Sequence, residues 1–356
     1  MSNPAQTSLQ SSAQSSAMIS STSTVTAAAT TFTSSFGPGA TASVTMQNAF
    51  KQAVDSWSSL LSDPIAVNLS VDYQPLGTGI LGQSSTQLLY GLYGSVRNIV
   101  SQNAGEVNNV REDALLPNLP TNYDLNTFDT FYPNSGISYI SQANYHALGG
   151  SGSDTLPDAT ITFSSNFPWD FDPSDGVDAG AFDFVGIAMH EIGHALGFTS
   201  GIDIIDNLLK YNPLLVNQYL GPMPLDFFRF QTSALTDPSF DFATTPRILV
   251  PGSYTPGDTQ SFYYSDGSVL MSTGQYYGNG RQASHWMDGL GLGIMDPTAA
   301  PGEVLLVTDN DLIALDLIGW DIAKFNGSAS VPIPSTSVLF LFGLIGMAGI
   351  KRKAGW

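Results

Sequence analysis

The sequence predicts an α+β fold: a twisted sheet and helices above one central helix, and a loop-rich half below it that ends in a carboxy-terminal helix. Three observations carry this expectation. Residues 47–61 (QNAFKQAVDSWSSLL) space Phe50, Val54, Trp57, Leu60 and Leu61 as one face of a helix. Residues 65–73 (IAVNLSVDY) alternate like a half-buried strand, and residues 159–164 (ATITFS) read as a second, short strand. From Asp183 a compact apolar run with a capping residue at its start and Gly197 at its end reads as the central helix.

Residues 1–40 are rich in Ser, Thr and Ala, contain no Lys or Arg, and read as a low-complexity leader. They offer neither the basic start nor the apolar run of a secretory signal. Order is expected from about Thr45, and Asp63-Pro64 should end the first helix. Residues 88–100 suggest a second helix, followed by a polar, Asn- and Pro-rich passage to Asn134. The strand 159–164 is expected at a sheet edge, just before an Asp-rich loop at 170–178 (DFDPSDGVD). That loop has the aspartate density for Ca2+ but not the spacing of an EF-hand.

The central helix should be capped by Asp183, with Phe184, Val185, Ile187, Ala188, Ile192 and Ala195 as its apolar surface. Gly197 suits a left-handed exit. Residues 199–293 read as loops, and 308–320 (TDNDLIALDLIGW) as a capped amphipathic helix. The expected division is therefore a leader at 1–40, an upper subdomain at 41–197, a lower one at 198–325, and a linker with an apolar tail at 326–356. In that tail VPIPS leads into an apolar run, 337–350, closed by Lys351-Arg352-Lys353. The run is shorter than the roughly 20 residues of a usual membrane span, and its basic flank orients it like a stop-transfer or sorting segment.

Composition narrows the chemistry. The 356 residues are 42% hydrophobic, enough for a sizeable core. Thirty acidic against 11 basic residues give a net charge of -19, which argues against a nucleic-acid partner. With no cysteine in the chain, disulfides, thiolate ligands and a cysteine nucleophile are excluded. Only four histidines are available, His146, His190, His194 and His285.

Two of them lie in the central helix, in AMHEIGHALGF at 188–198. Four residues apart, His190 and His194 share a helix face, and Glu191 sits beside the first. Zinc chemistry needs this arrangement: two neutral imidazoles converge on the ion, and a carboxylate that is not a ligand stands close enough to take a proton from water. A third protein ligand is required. Ser200, three residues past Gly197, is not a plausible one, and the next glutamate downstream, Glu303, lies in a Pro/Gly loop. Asp203, near in sequence, and His285, far from it, remain, with His146 a remote third option.

His285 lies in QASHWMD (282–288), ten residues before GIMDP (293–297), which centres on Met295. This combination resembles the methionine turn of metzincins. It is most similar to the leishmanolysin-like branch, where HExxHxxGF is followed, after a long insertion, by a Ser-His-Trp segment and then the turn. Carried over, the resemblance implies zinc ligands His190, His194 and His285, general base Glu191, and Met295 as the floor of the site. Asp203 stays as the alternative third ligand. Met271-Ser272-Thr273-Gly274 is a competing methionine turn, but it precedes His285. The resemblance covers 183–198 and 284–297, with 311–320 as a closing helix; the lack of disulfides departs from known leishmanolysins. The tail is similar to a PEP-CTERM sorting signal with isoleucine in place of the usual glutamate. It implies export across the inner membrane of a Gram-negative bacterium by sorting machinery, with membrane contact through 337–353.

The expected function is an exported zinc endopeptidase acting on protein or peptide substrates. The alternative is a non-enzymatic cell-surface or matrix protein with a structural or vestigial zinc site.

Overall fold

The computed structural model describes residues 29–104, 110–122, 125–126, 136–152, 155–253 and 257–323. The apolar tail and most of the leader lie outside these residues. The described chain is α+β, with several sheets and helices. The first sheet is built from β1 (Thr31–Phe36), β2 (Ala66–Gln74), β3 (Gly82–Thr86) and, further on, Ala159–Ser164. Between β1 and β2 runs α1 (Val44–Leu60), capped by the Ser43 hydroxyl, with Met46, Ala49, Phe50, Ala53 and Trp57 buried along one face.

β1 begins inside the stretch that reads as a leader. Its TFTSSF pattern carries few apolar side chains, so the strand is defined by parallel backbone pairing with β2, from Thr31 opposite Ala66 to Phe36 opposite Val71. Residues 88–100 also differ from expectation. They divide into β4 (Leu88–Leu92) and the start of α2 (Tyr93–Gln102), because β4 pairs antiparallel with β5 (Ile137–Ser141).

The largest correction concerns Ala159–Ser164, here β6. It is not an edge: β2 runs parallel on one side of it and β3 antiparallel on the other, giving the order β1-β2-β6-β3. All its residues but Thr160 are buried, as suits an interior strand. The edges among the described residues are β1 and β3, and β3, GQSST, has small polar residues that announce little in the sequence.

The central helix, α3 (Phe184–Ala195), lies against β3 and α1. Asp183 caps it, its carboxylate accepting the Gly186 amide at 2.8 Å. Phe163 of β6 packs on both Phe50 and Phe184, with ring centroids 5.9 and 4.7 Å away, and Trp57 Nε1 donates to Met189 O. Beyond Gly197 the chain is more regular than expected. α4 (Gly201–Tyr211) starts at once, and β7 (Arg229–Gln231), β8 (Gln260–Tyr264) and β9 (Gly267–Met271) form an antiparallel sheet.

The last helix among the described residues, α5 (Asp309–Ile318), is capped at Thr308 as expected, through a capping box with Asp311. Trp320 Nε1 behind it donates to Leu196 O, so the segment after α5 packs on the exit of α3. No helix among the described residues is long and apolar enough to cross a membrane.

Candidate metal centre

His190 and His194 project from one face of α3, and His285 arrives from the segment after β9. That segment is pinned by backbone pairing: Met271 bridges to Trp286, Ser272 N donates to His285 O, and Met287 N donates to Leu270 O. Met271 and Ser272, the competing methionine turn, therefore extend β9 and carry the third histidine's segment. The chain turns out of α3 at Gly197, φ 111°, so that Phe198 O faces back toward His194.

The three Nε2 atoms form a triangle with every side 3.2 Å. A contact of this length is a hydrogen bond only if one of the two nitrogens carries a proton. The Nδ1 atoms argue otherwise: that of His190 lies 2.8 Å from Ile294 O, that of His194 2.8 Å from Phe198 O, and that of His285 3.2 Å from Gln282 O. Carbonyl oxygens only accept, so these contacts assign the protons to Nδ1 and leave three Nε2 lone pairs converging on one point. Such an arrangement can hold a metal ion, and it is the only such group of three or more His, Cys, Asp or Glu side chains among the described residues.

Burial favours the neutral rings a metal requires. Desolvation, reinforced by the His190 ring, pushes His194 down to about 3, and His190 and His285 are lowered for the same leading reason. Glu191 is buried as well, and desolvation raises its carboxyl to about 8. Its side chain lines the cleft beside the histidines, close against Gly82 of β3.

Met295 is buried under α3, its sulfur against Gly193 in the middle of HEIGH. It belongs to a turn in which Asp296 N donates to Gly293 O, while Met295 O accepts from Trp286 N. The Asp311 carboxylate holds this floor, accepting from Trp286 Nε1 (2.7 Å), Ile294 N (2.8 Å) and Met295 N (3.3 Å) as well as Thr308 N at its own helix cap (2.7 Å). One buried carboxylate thus joins the third-histidine segment, the methionine segment and α5.

Asp203 is not part of the cluster. Its oxygens accept from Ala283 N, Ser284 N and Ser284 Oγ, immediately before His285. Ser200, rejected as a ligand, is the N-cap of α4 and donates to Asp226. His146 sits in the short helix Gln142–Ala147, outside the group of three. In the Asp-rich loop the two oxygens of Asp170 accept the amides of Asp172 and Asp178, so that carboxylate closes its own loop.

None of the known protein families, curated proteins or solved structures compared with the chain matches it. The chemistry is therefore argued from the site alone. Gly82, Asp226, Arg229 and Asp311 support the site without belonging to any motif that marks it in the sequence. Only Asp311 had a local signal, the Thr308-x-x-Asp311 capping box.

Next to the histidines opens a cleft of about 490 Å³. It is lined by Ile80, Gly82 and Ser84 at β3, by Ile187 and Glu191 of α3, and by Gln275, Arg281 and residues 296–299. β3 borders it with a strand edge that has no partner strand among the described residues and so offers backbone donors and acceptors to an extended chain.

Proposed function

We propose that the chain is a zinc-dependent endopeptidase of metzincin type, with His190, His194 and His285 as ligands, Glu191 as general base and Met295 beneath the site. The observation that carries this reading is the 3.2 Å triangle of Nε2 atoms, each ring with its Nδ1 facing a carbonyl oxygen, with a buried carboxylate beside it. Imidazole nitrogens about 2.0–2.1 Å from a tetrahedral ion stand roughly 3.3 Å apart. The spacing therefore suits zinc.

The chemistry a bound zinc ion supplies is Lewis acidity toward a carbonyl and a lowered pKa for water. The protein does the rest. Glu191 takes the proton of the attacking water on its carboxylate and passes it to the leaving amine nitrogen. Burial alone would keep this group protonated at neutral pH, and a neighbouring dication offsets that tendency. The free edge of β3 holds the substrate extended across the site by strand addition, which Ala159–Ser164, expected at an edge but paired on both sides, has no free edge to do. A purely structural zinc site needs no cleft-lining carboxylate, which disfavours the non-enzymatic reading. Export and sorting through the VPIPS tail complete the proposal.

The test combines zinc analysis with hydrolysis of casein or gelatin. Wild-type protein should bind one zinc and cleave. Glu191→Ala should keep the metal and lose at least about a hundredfold in kcat. Activity that survives either this substitution or complete chelation would sink the mechanism.

A further inference from the structure

Asp203 and Asp206 lie three residues apart on α4, which places them on one face of the helix. Each carboxylate accepts two backbone amides from a different segment of the chain. Asp203 takes those of Ala283 and Ser284, together with the Ser284 hydroxyl, and the next residue is His285. Asp206 takes those of Tyr276 and Tyr277 at 2.8 and 2.9 Å, in the loop whose flanks, Gln275 and Gly280, line the cleft.

The helix is itself anchored. Ser200 and the Gly201 amide both donate to Asp226, which pairs with Arg229; both side chains of that pair are fully buried. Arg229 Nη2 donates to Ala283 O at 2.6 Å, so Ala283 is held through its N–H by Asp203 and through its C=O by Arg229. Ser200 N donates to Ser284 Oγ and closes the network.

Burying carboxylates in this way costs free energy that apolar packing would not. What it adds is direction, because charge-assisted hydrogen bonds to consecutive amides fix a segment's orientation as well as its position. We propose that α4 is the positioning element of the site with divided roles: Asp203 sets the third imidazole, and Asp206 sets the cleft rim against which a substrate lies. The second role rests on the peptidase reading; the first requires only that the three histidines bind metal.

Zinc affinity is measured on the full chain by competition with a chromophoric chelator. Peptide binding is measured by fluorescence anisotropy in the Glu191→Ala background, where no turnover intervenes. Asp203→Asn and Asp203→Ala should weaken zinc by about tenfold or more, as loss of an outer-shell support does, and Ser284→Ala by less. Asp206→Asn should bind zinc as the wild type does and bind peptide about tenfold more weakly. Melting of the zinc-saturated proteins identifies any variant that fails to fold. If the alanine variant does, the isosteric Asn variant decides.

Asp203 variants that fold and hold zinc like the wild type would overturn the first role. Equal zinc loss in Asp206→Asn, or unchanged peptide affinity, would overturn the division. Should Glu191→Ala protein bind zinc but no peptide at all, the peptidase reading and the role of Asp206 fall together, while the zinc comparison still decides Asp203.

Discussion

Gly82 and Glu191 occupy one another's space: a Cβ on Gly82 would lie 2.6 Å from Glu191 Oε1. The edge strand can approach the central helix this closely only because residue 82 has no side chain. Gly82→Ala must therefore displace either β3 or the carboxylate. A shift of about 1 Å in a catalytic group can cost on the order of a hundredfold in rate, so under the proposed peptidase function the expected result is a fall of that size in kcat with zinc content unchanged. Steady-state kinetics beside metal analysis would check it; a variant with wild-type kcat would mean that Glu191 is not held where the mechanism needs it.

A second close approach lies under the helix. A Cβ on Gly193 would sit 2.5 Å from the sulfur of Met295, with the methyl group next in line at 3.3 Å. Gly193→Ala should destabilise the protein by about 1–3 kcal/mol through overpacking. Because the clash has a named partner, the double variant Gly193→Ala/Met295→Ala should lose less than the sum of the two single changes. Urea unfolding of the four proteins measures the coupling, and strict additivity would show that Met295 is not the obstacle.

These two glycines mark where sequence reading stops. Within a single element the signals were local and strong. Asp183 capping an apolar run located α3, Thr308 before a second apolar run located α5, and the scarcity of histidine left His285 as one of few candidates for the position it occupies. What escaped depends on pairing between distant segments. β1 and β3 are Ser/Thr/Gly-rich strands whose formation depends on the neighbour each finds. α4 carried an audible signal in Ile202, Ile205, Leu208 and Leu209, but Ser200 was weighed as a ligand rather than as a cap. Asp203 is near His190 and His194 in sequence and near His285 in space, yet it serves the backbone instead.

Metal removal should be felt as instability. Three neutral imidazoles converge in the folded chain and are dispersed in the unfolded one, so an ion that binds only the former stabilises it by mass action. At a thousandfold excess over Kd the gain is about 4 kcal/mol. Differential scanning calorimetry with zinc and with a chelator should display a higher melting temperature in zinc, reversibly. His285→Ala should abolish this difference and His146→Ala should preserve it; the reverse pattern would reassign the third ligand.

Far from the cleft, Asp63 makes stability depend on pH. It follows α1, and its carboxylate accepts Asp321 N at 3.0 Å where the segment after α5 pairs beside Leu61. Burial, and then the nearby Asp321 carboxylate, raise it to about 7 from an ordinary value of 3.8. Between these values the folded chain holds a proton that the unfolded chain has released. Its contribution is thus fully present below about pH 4 and is lost as pH rises through 7. Asp63→Asn keeps an acceptor for the Asp321 amide but cannot ionise. At pH 8 it should be more stable than the wild type by on the order of 1 kcal/mol or more, with the advantage shrinking toward pH 4. Chemical denaturation at pH 5, 6.5 and 8 tests the sign, and a variant whose deficit grows with pH would place the charged form of Asp63 in the native state instead.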